Sequence, residues 1–289
     1  MTPHIKGLLI ALLGVTILSF DSLLVRLIRA DAWDLLFWRG ALLSLTLILA
    51  EVAVRRRVTG GFSTYTSPMI YAGGAAFAAA MVFFVLALNN TEVASALVIT
   101  NTAPFFAAII ALVFLHERLQ RHTAVAIAVS TAGIWIIFEY EPSAGAVKGD
   151  TLALIGAVGM AGYLVVMRAA NGANGASYLI AAGIITALAA LANGANPAAL
   201  QGESILFMVL LGCIVVPGSS LCIARAPRYL PAAQTGLVLL LEILLGPWFI
   251  YLFLGESPSD NDMVGGALVL ATLIAHTLWE ATHASNERA

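Results

Sequence analysis

The chain has 289 residues, of which 61% are apolar and only 10% charged, with a mean hydropathy of +0.95. Soluble globular domains average roughly 25% charged residues, so the composition excludes a water-covered surface of this size and places the chain in a lipid bilayer. A net charge of −2 and a pI of about 6.2 exclude the basic patch that a nucleic-acid partner needs.

A membrane-crossing helix needs about 20 mostly apolar residues. Ten stretches qualify in chain order: 6–28, 34–54, 68–88, 92–114, 121–138, 149–167, 177–193, 203–224, 231–254 and 262–279. Backbone groups in lipid must be satisfied within their own segment. The runs also lack the polar–apolar alternation of barrel strands. The expected fold is therefore an all-α membrane protein of ten transmembrane helices. Ala30-Asp31-Ala32 resembles a signal-peptide cleavage site. The run before it is long and is interrupted by Asp21 and Arg26, so it reads as a retained first helix.

Cationic loops set the orientation. With the N-terminus inside, Lys6, Arg55, Arg56, Arg57, Arg118, Arg121, Arg168, Arg225, Arg228 and Arg288 fall on the cytoplasmic side, against Arg26, Arg29 and Lys148 outside. Both termini are then cytoplasmic. The chain also repeats. A shift of 139 lays residues 72–138 on 211–277, matching Ala87 to Ala226, Phe114-Leu115 to Phe253-Leu254 and Glu117 to Glu256. A shift of 142 carries Lys6-Gly7, Gly14 and Arg26 onto Lys148-Gly149, Gly156 and Arg168. The chain thus divides into two repeats, 1–141 and 142–289. Each has five spans, an odd number, so the halves insert with opposite orientation, the architecture of secondary transporters.

Candidate residues come from what interrupts the oil. Asp21 and Arg26 lie near the outer end of span one, and Asp34 and Arg39 near the outer boundary of span two, where such groups snorkel or pair. An outer gate is the other reading of Asp21 and Arg26. On span three Phe77, Met81 and Phe84 form a helical stripe, with Tyr71 further down. Tyr163 on span six and Trp248 on span nine add aromatic area. Singly these residues are core packing; together they could line an apolar cavity. In span four Thr100-Asn101-Thr102 precedes Pro104, whose missing donor frees carbonyls one turn earlier. The polar groups there either satisfy those carbonyls or face a ligand. Pro217-Gly218-Ser219-Ser220 interrupts span eight, with Pro217 and Ser220 as substrate contacts in that reading.

Span nine carries Glu242. A charge at mid-bilayer costs about 2.5–3.5 kcal/mol on insertion scales, so it faces a cavity or a partner. Glu242 is 12 residues from its outer end and His276 of span ten is 14 from its own, close enough in depth for the two to pair. Two readings stay open: a proton-sensitive or substrate-contacting carboxylate, or an acid that knits two helices together. Gly73-Gly74, Gly156-Ala157-Val158-Gly159 and Gly265-Gly266 read as close-packing faces. Cys213 and Cys222, nine apart, fall on opposite faces of one helix and act as small packing residues. No zinc-protease, nucleophile-elbow or P-loop motif occurs, so neither a catalytic residue, a metal nor a cofactor is expected.

The fourth-span run NTAPFFAAIIALVFLHE, its ninth-span partner LLLEILLGPWFIYLFLGE and Trp38-Arg39-Gly40 together resemble the drug/metabolite transporter superfamily, in its ten-helix form with two EamA-type repeats. The likeness covers nearly the whole chain, and within the superfamily it is most similar to YddG-type exporters of aromatic and other amino acids. It implies outward alternating-access transport of amino acids across a bacterial inner membrane without ATP hydrolysis. Members often carry Pro directly after the acid matching Glu242, whereas here Ile243 follows and Pro247 stands four residues later. The break in span nine is thus expected deeper than its Pro104 counterpart. Multidrug-type cation efflux on the same fold and a non-transporting sensor or scaffold are the alternatives; an intramembrane enzyme lacks a nucleophile and base.

Overall fold

The structure, a computed structural model, describes residues 3–55, 67–114, 121–139, 144–169, 175–225, 229 and 238–286. Its helices are α1 (Pro3–Leu18), α2 (Phe20–Leu27), α3 (Ala32–Arg55), α4 (Pro68–Leu88), α5 (Val93–Thr100), α6 (Ala103–Phe114) and α7 (Arg121–Glu139) in the first half of the sequence. The second half supplies α8 (Ala144–Ala169), α9 (Gly175–Ala192), α10 (Glu203–Val209), α11 (Val216–Arg225), α12 (Glu242–Leu254) and α13 (Asp260–Asn286). Among the described residues every regular element is helical. Eight segments are long and apolar enough to cross a bilayer: Ile5–Leu27, Ala32–Ala53, Pro68–Leu88, Val93–Phe114, Ala146–Met167, Gly175–Ala192, Glu203–Ile223 and Asp260–Trp279. Arg121–Ile137 and Glu242–Leu254 are apolar but shorter. The outward faces carry a belt of exposed large apolar side chains, among them Leu49, Phe114, Trp135, Leu188, Leu252 and Phe253. In water such a patch would be a liability; in lipid it is the expected solvent contact.

Among the described residues, four spans are interrupted, span nine at Leu240 and Leu241 and three others as follows. Ser19 turns back to its own helix through Oγ on the Val15 carbonyl (2.8 Å) and separates α1 from α2. A π-helical stretch, Leu210–Val215, joins α10 to α11. Pro217 lies two residues past that stretch, inside the continuous helical run from Glu203 to Arg225. The third interruption separates α5 from α6 at Asn101 and Thr102.

The helices pack as pairs that map onto each other between the halves: α3 on α9, α7 on α13, α5 on α12, and α4 on α8 as α1 is on α11. Corresponding helices run antiparallel. Trp38 Nε1 donates to the Pro197 carbonyl (3.0 Å), whereas Ser44 Oγ, further along α3, donates to Ile180, further back along α9 (3.0 Å). Likewise Thr123 meets His276 and Asn261 meets the Ile136 carbonyl, so α7 and α13 oppose. Glycine permits these approaches. A Cβ on Gly40 would stand 3.0 Å from the Ala187 nitrogen, and one on Gly133 would stand 3.0 Å from the Gly265 carbonyl oxygen. A Cβ on Gly159 would stand 2.8 Å from the Ala80 nitrogen of α4. Lipid tails give no hydrophobic drive for helix association, so van der Waals contact at small residues has to supply it.

Candidate functional site

A buried ion pair and a third ionisable side chain lie where the halves face each other. Asp21 of α2 and Arg39 of α3 form a bidentate ion pair, Nη1 to Oδ1 at 2.6 Å and Nη2 to Oδ2 at 2.7 Å, with both side chains only 6% exposed. Such a fork matches guanidinium to carboxylate geometry and is the strong form of the interaction. Glu242, the first residue of α12, is partly buried within electrostatic reach of both. The centre therefore holds two carboxylates and one guanidinium, and Arg39 Nε is buried without a hydrogen-bond partner. Beside it Ser22 Oγ is likewise buried and unpartnered, and Phe20 of α2 stacks on Phe249 of α12 with centroids 4.4 Å apart.

This geometry revises several expectations. Arg39 does not snorkel to the boundary; it is 5% exposed and committed to Asp21. Glu242 does not meet His276. That imidazole shares a hydrogen bond with Thr123 Oγ1 (3.1 Å) and lies against Phe105 and His122, with ring centroids at 5.7 and 5.3 Å. α13 turns this imidazole toward α7. Asp34 is buried and accepts from the Asn196 backbone (2.5 Å) rather than pairing with Arg39.

The break in span nine is not displaced to Pro247. A turn at Leu240 and Leu241 precedes α12, the register partner of the turn at Asn101 and Thr102, and Pro247 lies inside the helix. Both turns close by i to i+3 bonds, Thr102 N to Ile99 O and Ile243 N to Leu240 O, each 3.1 Å. Asn101 Nδ2 donates to Leu97 O (3.0 Å) and Thr102 Oγ1 to Ile99 O (2.6 Å), so these two satisfy the local backbone, while Thr100 Oγ1 is buried without a partner. Pro104 occupies the second position of α6, where no donor is required.

In span eight the irregularity is the π stretch rather than Pro217-Gly218-Ser219-Ser220, which continues as helix. Ser219 and Ser220 hydroxyls both donate to Val216 O, at 3.1 and 2.7 Å. Met81 is a 4% exposed core residue, with Phe77 and Phe84 packed against the same core. Phe77 also touches Tyr163 at 4.9 Å, and Tyr163 belongs to a separate cluster with Ile70, Tyr178 and Ala181. Trp248 is 56% exposed beside Tyr251 and does not line the interior. The structure thus brings the stripe to Tyr163 through Phe77, while Trp248 lies apart from both. From the sequence Asp21 reads as an outer-end residue that snorkels, pairs or gates, and its pairing with Arg39 beside Ser22 and Phe20 is the feature missed. The signal for it was symmetry of depth: Asp21 lies six residues before the end of α2 and Arg39 seven after the start of α3.

One end of the bundle is laced shut across the halves. Arg26 bonds the Thr91 carbonyl (2.8 Å) and pairs with Glu256 (3.3 Å); Thr91 Oγ1 donates to Asp150 (2.7 Å). Ser259 N donates to Glu92 (2.9 Å), Ser95 Oγ donates to Asp262, and Arg29 N donates to Ser204 Oγ (3.2 Å). Glu117, the register partner of Glu256, lies outside the described residues. At the opposite end Lys6 Nζ sits 5.1 Å over the ring of Tyr229.

A buried charged centre between antiparallel halves, inside a helical bundle with a lipid-facing belt, defines a multi-pass membrane protein of the transporter kind. A family model described as the EamA-like transporter family matches twice, over residues 5–139 and 147–277, and the chain belongs to that family. The pseudopaline exporter CntI of Pseudomonas aeruginosa strain PAO1 is 25% identical over 281 residues, covering 93% of this chain and 95% of that one. The protein of the same name from strain UCBPP-PA14 matches to the same extent. Neither relative is named as a YddG-type exporter of aromatic amino acids, so the finer resemblance is not what these relatives carry. A solved crystal structure aligns with a TM-score of 0.65 at 19% identity, covering 96% of this chain and 98% of that one, which shows the fold alone.

Proposed function

We propose that this chain is a secondary exporter that carries small amino-acid-type metabolites, aromatic ones included, outward across the inner membrane by alternating access. Ten spans in two inverted halves of five, with both termini cytoplasmic, form its frame; the two shorter apolar helices complete the count. The observation that carries the reading is the convergence of Asp21 and Arg39 from one half with Glu242 from the other. Ionisable groups inside a bilayer are costly and mark substrate or proton pathways. Transporters place such sites at the interface of inverted repeats. The cationic bias of the loops supports the orientation, and the relatives named as exporters support the direction. Glu242 is the proton-coupling candidate and acts without His276, which serves the α7–α13 contact.

Purified full-length protein in liposomes tests this. Labelled phenylalanine and a panel of other amino acids should move faster than through empty vesicles, and cationic drugs should not compete. An imposed pH gradient should drive accumulation in the wild type and not in Glu242→Gln. Transport of cationic drugs without any amino acid would replace this reading with multidrug efflux.

A further inference from the structure

We propose that Arg39 is the carboxylate receptor of the transport site, that Asp21 is the stand-in that occupies it when no substrate is bound, and that Glu242 receives the substrate ammonium. This rests on the reading of the chain as a carrier of amino-acid-type metabolites. It adds which end of the substrate meets which half.

The pairing is asymmetric. Asp21 and Arg39 lie on α2 and α3 of the first half and are joined by two bonds of 2.6 and 2.7 Å. Glu242 lies on α12 of the second half, so movement of one half against the other leaves the pair intact and changes the distance to Glu242. A ligand that bridged Arg39 and Glu242 would tie the halves together across the moving boundary. The smallest ligand that does so carries a carboxylate for the fork and an ammonium for the acid.

The donors for such a ligand are in place. Arg39 presents five N–H groups. Four belong to the terminal nitrogens that grip Asp21, and Nε–H is buried with nothing to bond. Ser22 Oγ, also buried and unpartnered, stands 3.5 Å from where a Cβ on Gly246 would be. Its hydroxyl thus faces α12 one turn beyond Glu242. An unmet buried donor is costly, and two of them beside one ion pair are accounted for if an incoming polar ligand satisfies them. The stacked Phe20 and Phe249 flank the group on the same two helices and offer an apolar wall to the substrate side chain.

Exchange chemistry sets the selectivity. Replacing the Asp21 carboxylate with a substrate carboxylate that takes Nε and one Nη keeps a bidentate geometry at the guanidinium, the substrate ammonium goes to Glu242, and the net charge of the site is unchanged. A zwitterion also brings no net charge into a buried site. A plain amine reaches Glu242 but leaves the fork closed, and a plain carboxylate opens the fork but sets a third anion beside two others.

The test uses purified full-length protein with phenylalanine, phenethylamine and 3-phenylpropanoate as probes, read by ligand-induced thermal shift and by liposome flux. Phenylalanine should bind at least tenfold more tightly than either analogue. Asp21→Asn should lower the phenylalanine KM severalfold, because the fork opens without competition. Arg39→Lys, which keeps the charge but loses the fork, should raise that KM at least tenfold while leaving the weak phenethylamine signal unchanged. Phenethylamine binding as well as phenylalanine would overturn the assignment. So would Asp21→Asn and Arg39→Lys weakening phenylalanine alike, the result of a purely structural pair. Both of those results leave amino-acid transport standing; transport of no amino acid by the wild type would take the proposed function down with it.

Discussion

Residues 93–114 and 238–254 are twins in register and opposites in chemistry. Each is a helix broken by a two-residue turn, at Asn101-Thr102 in the first and Leu240-Leu241 in the second. The first turn is held by polar side chains returning to the backbone and leads within two residues to a proline. The second is made of two leucines, has no proline near it and still forms at the matching place. The break is therefore a requirement of the tertiary arrangement, where α12 crosses α5 with Leu97 against Gly246, and not the local consequence of a proline. The twins part at the residue on which each helix resumes. In the first it is Ala103, in the second Glu242, which lies within electrostatic reach of the Asp21–Arg39 pair. At these two turns the repeated frame thus carries an acid in one half and none in the other.

That asymmetry can be attacked from several sides. Glu242→Ala should lower amino-acid flux in liposomes at least a hundredfold, about 2.7 kcal/mol at 1.36 kcal/mol per decade. Ala103→Ser at the twin position should change it less than twofold, and equal losses at both sites would erase the distinction. Pro247→Ala restores a donor opposite the Ile243 carbonyl and should raise thermal stability in detergent, by about 1–3 kcal/mol, given that an interior proline costs about 3 kcal/mol. The same change at Pro104, where no donor is needed, should move stability by less than about 0.5 kcal/mol. Gly246→Ala places a methyl against Leu97 at the crossing of the twins and should cost about 1–2 kcal/mol by overpacking; its twin position is already Ala107. Asn101→Leu removes one side-chain bond to the Leu97 carbonyl, which the backbone amide of Asn101 also donates to, and should cost about 1 kcal/mol or less in a melting experiment. A larger loss than that of Gly246→Ala would mean the polar turn, rather than the crossing, maintains the break.

The frame was legible because hydropathy and register are properties of the chain itself. Stretches of about 20 apolar residues, small residues at contact positions and the shift of 139 each survive without knowledge of neighbours. The match of 101–102 to 240–241 lies in that same shift, yet a reading that makes proline the cause of the break puts the second turn too deep. The site was less legible. Phe77, Met81 and Phe84 have the spacing of a cavity lining and the burial of a core, and spacing cannot separate the two. Trp248 shares a helix with Glu242 and points outward instead. Tyr163 joins Tyr178 and Ile70 in a cluster of its own.

The sequence by itself determined that this chain lies in a membrane, that its helices come in two related sets, and that the charge at Glu242 must be answered inside the bilayer. Only the tertiary structure decided how it is answered. Depth along a helix can be counted from its end, but the direction a side chain points depends on the rotation of that helix against its neighbours. That rotation turned Arg39 to Asp21, brought Glu242 to both, and sent His276 to Thr123.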